Sequence, residues 1–89
     1  MDIVKAAKVT LKYAQLRLEE QTDEKNININ VRPELSVEHQ LNILTEIAHG
    51  RIFADKAHRC LGWAQATLCT HGIGDLTTYR ALNAACGDL

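Results

Sequence analysis

The sequence predicts a mainly α-helical fold, a small bundle of three to four helices with one extended arm or short strand at residues 26–31. Three observations predict it. Apolar residues recur at helical spacing over most of the chain, capping residues precede those patterns, and Pro33, Gly50, Gly72, Gly74 and Gly87 punctuate them. With 89 residues the chain is expected to form one domain, 1–89. Folding a chain of that length buries only about 60–65% of the surface its unfolded form exposes, so the core is thin. Association with further copies is one way to add burial.

The first helix is expected over about Ile3–Glu20, with the Asp2 carboxylate as its N-cap. Ile3, Ala7, Leu11, Ala14 and Leu18 follow one another at spacings of 4, 4, 3 and 4, a stripe down one face. Lys5, Lys8 and Lys12 form a second, polar stripe. Residues 21–25 are polar and turn-like, and Asn26-Ile27-Asn28-Ile29-Asn30-Val31 then alternates with period two, a strand signal. As the lone strand candidate it is expected either to pair with its counterpart in another subunit or to lie as an arm on the helices. Pro33 ends it.

Ser36 opens the next helical pattern, with Glu38 favourably placed in its first turn. Val37, Leu41, Leu44 and Ala48 carry the stripe, with Ile43 and Ile47 beside them. After Gly50 the apolar set becomes Phe53, Ala57, Cys60, Leu61, Ala64 and Leu68. On a helical wheel the two stripes differ by roughly 130°. Either the helix breaks near Gly50 into a hairpin, or one long helix buries different faces against different neighbours. Residues 51–70 are also apolar on a second side, where Ile52, Trp63 and Ala66 lie, with Gly62 permitting close approach. A helix apolar on both sides is expected to be covered on both, and the expected cover is another subunit. Gly72 suits the position just past a helix end, Asp75 can cap a last helix, and Leu76, Tyr79, Leu82 and Ala85 are expected toward the core.

The chemistry-bearing residues are few. Net charge is -1, which excludes the strong basic excess of a general nucleic-acid coat, so a nucleic-acid partner is not expected. Lys5, Lys8, Lys12 and Arg17 read as a solvated face. Three cysteines, no signal-like N-terminal segment and no long apolar run point to reduced thiols in a cytoplasmic protein that does not span a membrane. His58, Cys60, Cys69 and His71 resemble a metal set only at first. Cys60 and Cys69 are nine residues apart, which on one helix is about 13 Å and opposite sides, so no metal or other cofactor is expected. His58 and Cys60, two residues apart, do not face each other on a helix, and no orienting carboxylate is evident. No catalytic residue is assigned.

The most unusual text is Asp55 to Gln65, where Asp55, His58, Gly62, Gln65 and Cys69 fall on one strip beside the apolar stripe. Two readings follow. His58, Arg59, Trp63 and Gln65 build a ligand or partner site, or the strip is a subunit interface whose polar groups satisfy one another.

Residues 53–83, with Lys56-Ala57-His58-Arg59, Leu61-Gly62-Trp63-Ala64-Gln65 and Tyr79-Arg80-Ala81-Leu82-Asn83, resemble small accessory proteins encoded by bacteriophages and prophages. That resemblance implies a protein that modulates host machinery or a defence system by binding. The layout of Ile27 to Leu68 is similar to the ribbon-helix-helix repressors, which implies Asn26, Asn28 and Asn30 as readers of DNA bases. A nucleotide-binding sponge is the third class carried forward. The reading adopted is a non-enzymatic helical interaction protein that associates with itself and with a host protein.

Overall fold

The computed structural model describes residues 2–20 and 33–87. Four α-helices run through them: α1 (Ile3–Glu20), α2 (Val37–Ala48), α3 (Ala54–Thr70) and α4 (Leu76–Ala85), with a 3-10 turn at Pro33–Leu35 ahead of α2. The predicted arm or strand at 26–31 lies outside the described residues. Helices α1, α2 and α3 pack on one another, and α4 lies against α1 and α3.

Each helix starts where its capping residue stands, with one exception. Asp2 Oδ1 accepts the Lys5 amide at 3.0 Å, Ser36 Oγ accepts that of His39 at 3.0 Å, and Asp75 Oδ1 accepts that of Thr78 at 2.8 Å. These oxygens satisfy amides that a first turn leaves without an intrahelical partner. Helix α3 has no such cap, because its N-cap position is Phe53. The expectation that Phe53 belongs to the core stripe is corrected here, since its ring is 90% exposed.

The change of stripe at Gly50 is a helix break, and the 37–70 region is a hairpin. Gly50 takes φ +71°, its amide donates to Ile47 O at 2.9 Å, and Arg51 N donates to Glu46 O at 3.0 Å. That double closure is a Schellman ending, which needs a left-handed residue that glycine adopts at least cost. The Arg51 guanidinium then reaches Glu46 Oε2 at 2.6 Å across the same turn. Helix α3 ends in the same way: Gly72 N donates to Cys69 O and Ile73 N to Leu68 O, each at 3.0 Å. Here the accompanying contact is apolar, since both Leu68 and Ile73 are buried.

The core contains Leu44, Ile47, Leu61, Leu68, Ile73 and Tyr79, together with the small residues Ala6, Ala7, Ala14, Ala57 and Ala64. Along α1 the fully buried positions are Ala6, Ala7, Thr10 and Ala14, whereas Ile3, Leu11 and Leu18 are half-buried. The buried face is therefore turned toward Ala6 and Thr10 relative to the apolar stripe. Small side chains at its centre let the backbones approach, and the larger ones seal the edges. On α4 the expectation is met for Tyr79 and partly for Leu82, but Leu76 is 56% exposed and Ala85 is exposed. A short helix resting on two others has room to bury only one narrow stripe.

Tyr79 anchors α4. Its hydroxyl donates to Ile73 O at 2.6 Å, and its ring meets Tyr13 edge to face at 5.6 Å between centroids. Gly74, at φ +82°, passes between these rings so closely that a Cβ would stand 2.9 Å from atoms of both. Burial raises the Tyr79 phenol above its ordinary range.

Candidate functional site: the two sides of helix α3

The sequence strip on α3 divides into an inner and an outer side. Gln65, only 5% exposed, faces inward. Its Nε2 donates to Thr10 Oγ1 at 2.9 Å and to Asn83 Oδ1 at 3.0 Å, and Asn83 Nδ2 returns a bond to Gln65 Oε1 at 3.0 Å. One amide thus joins α1, α3 and α4, with both of its polar atoms engaged. A polar group so deep needs such partners, because an unpaired one costs about 1–3 kcal/mol. Of this strip, Gln65 has its polar atoms engaged within the chain, by Thr10 and Asn83, neither of which belongs to the strip.

Thr10 and Asn83 escaped the sequence reading. Their signal is a polar residue on the buried side of each of three helices, Thr10 among Ala6, Ala7 and Ala14, and Asn83 beside Leu82. Helical patterns count such residues as interruptions, and nothing local says that three interruptions meet.

The outer side is different. Asp55, Lys56, His58, Arg59, Gly62, Trp63 and Ala66 are all exposed. Trp63 stands two residues from Gln65, hence about 200° around the helix, so these two predicted site residues cannot line one surface. The structure puts Arg59 and Trp63 on a common outward face, places His58 on the flank toward the inner side, and removes Gln65 to the interior. Trp63 retains 48% of its exposure. A Cβ added at Gly62 would meet nothing within 4 Å, so the surface beside the indole is open. Asp55 and Arg59 are spaced as i, i+4, where opposite charges can pair. Among the described residues the ion pairs are Arg17–Glu20 and Arg51–Glu46, and neither Asp55 nor Arg59 takes part in one.

Elsewhere the titratable groups serve the fold. His71 Nε2 donates to Leu35 O at 2.8 Å, tying the end of α3 to the turn before α2. His49 Nδ1 meets Thr45 O at 2.8 Å, within the last turn of α2. Burial, and then the negative charge of Asp75, raises the Cys69 thiol. Hydrogen bonds from Thr78 hold the Asp75 carboxyl below its ordinary value. Cys60, Cys69 and Cys86 are free thiols, the first two half-buried and the third buried. Among the described residues no three of His, Cys, Asp and Glu are grouped as a metal site would need, and no helix is long and apolar enough to cross a membrane. No protein-family model, curated protein or solved structure matches the chain.

Proposed function

We propose that this protein is a non-enzymatic helical interaction module that associates with itself through the outer face of α3 and acts by binding a host or defence component. The observation that carries the reading is the half-exposed Trp63 in the middle of a helix, flanked by Arg59, Gly62 and Ala66 on a face where all four are exposed. Tryptophan and arginine are enriched among the residues that anchor protein interfaces, and a small neighbour lets the second surface come close. His58, on the flank, belongs to the rim of that surface. The resemblance of residues 53–83 to phage accessory proteins supports the same class of activity, since such proteins alter their targets by binding.

The lone tryptophan supplies the test. Light scattering behind gel filtration, together with Trp63 emission from micromolar to several hundred micromolar chain, reads assembly and burial at one site. Mass above one chain with a blue shift of emission supports the reading. A 9.9 kDa species with an unshifted, water-exposed emission over the whole range would remove self-association from it.

A further inference from the structure

We infer that the second copy docks antiparallel on α3, in the register that sets Asp55 of each copy against Arg59 of the other. The inference rests on the self-association proposed above and names its geometry. A two-fold interface applies one patch to itself, so the patch must complement its own reversed image. Asp55 and Arg59 meet that condition. They lie one turn apart on the exposed side, carry opposite charge and, among the described residues, form no ion pair. Running two such helices in opposite directions brings each carboxylate to a guanidinium, twice across the axis. The parallel arrangement would put like against like.

That register has a consequence that the charges did not dictate. Its axis crosses the helix level with position 57, midway between 55 and 59, so Trp63 of one copy lies past Ala54, the first residue of α3, in the other. The side chain of Trp63 then reaches the 51–53 segment of the second copy. Arg51 there is held by Glu46 and Ile52 packs half-buried on its own core, so what remains to be covered is Phe53. Phe53 is the most exposed large apolar residue described, at 90%, and it occupies the one helix start without a side-chain cap. Two opposite charges and two exposed rings, separate oddities in the single chain, are thus matched by one alignment. Gly62 adds to the fit, since a Cβ there would meet nothing within 4 Å and the surface beside the indole is open to the second copy. Lys56 flanks the axis in both copies, and its long exposed side chain can keep its charge in water.

Charge exchange tests this register. Both positions are exposed, so Asp55→Arg and Arg59→Asp are expected to leave the far-ultraviolet circular dichroism unchanged. Each variant alone places like charges together twice and weakens association about tenfold or more by sedimentation equilibrium, an effect that lost and reversed ion pairs can supply. The double variant D55R/R59D restores association. So does an equimolar mixture of the two single variants, because every 55–59 contact across that mixed pair again joins opposite charges. Native mass spectrometry identifies the mixed dimer by its mass. An ion pair within one helix could not produce rescue by mixing. A wild-type dimer whose single variants associate normally, or are not rescued by mixing, overturns this register while leaving self-association standing. A wild-type chain monomeric at several hundred micromolar overturns both.

Discussion

The two sides of α3 carry similar residues under opposite conditions. Inside, the amide of Gln65 has every polar atom engaged by Thr10 and Asn83, and removing any member strands the others. Outside, Asp55, Arg59 and Trp63 stand on the surface, and among the described residues neither charge forms an ion pair. The difference teaches that a polar strip on a helix is no single kind of signal. Where it meets neighbouring helices it specifies how they pack, and where it meets none it is available to a partner. Variants on the two sides should accordingly separate stability from association.

The largest effect is expected from Gln65→Ala. It removes three hydrogen bonds, opens a space at the α1–α3–α4 junction and leaves the Thr10 hydroxyl buried without its donor. A loss of about 2–4 kcal/mol in urea unfolding follows from a cavity combined with stranded polar groups. A cost below about 0.5 kcal/mol would mean that water replaces the amide freely, and that the inner side is no more committed than the outer.

Tyr79→Phe follows in size. It keeps the ring against Tyr13 and removes only the donor to Ile73 O, so about 1–2 kcal/mol is expected. Hydrogen exchange should show that loss as earlier opening of α4, with α2 less affected. Uniform acceleration across all four helices would instead make α4 part of one cooperative unit with the rest.

Trp63→Ala sharpens the comparison from the outer side. A fully packed tryptophan would cost about 3–5 kcal/mol on truncation. Half of this one is in water, so the expected cost to the folded monomer is about 1 kcal/mol or less, while association weakens severalfold. Unfolding followed at submicromolar chain isolates the first quantity, and sedimentation at high concentration reads the second. A large loss at submicromolar chain with unchanged association would place the indole functionally on the inner side.

Much of this arrangement was legible in the sequence. The caps at Asp2, Ser36 and Asp75 and the change of apolar face at Gly50 could be read because each depends on residues a few positions apart, whereas the choice between a break and one long helix could not. Phe53 and Leu76 were misplaced for a related reason. Both sit next to a helix start, where the wheel still assigns a face although no neighbouring helix reaches that far. The candidate site was only partly legible. Gln65 was grouped with Arg59 and Trp63 because sequence proximity hides a half-turn of rotation. Its real partners are 55 and 18 residues away and carry no mark of their own.

The smallest effect is a pH dependence, and it bears on the inner side alone. Asp75 caps α4, the helix that supplies Asn83 to the buried network. Hydrogen bonds from Thr78 lower its carboxyl below the unfolded value, so the folded state favours the ionised form. A group depressed in this way contributes stability above its unfolded pKa, and the contribution disappears as pH falls through the folded one. Asn can still accept the Thr78 amide but carries no charge. Asp75→Asn is therefore expected to lower Tm slightly at neutral pH, with the gap to wild type closing as the solution is taken down to about pH 2.5. A constant gap over that range would show that the shape of the cap, rather than its charge, holds α4. Association through the outer face of α3 should not follow the same titration, because Asp75 acts on the helix that closes the other side.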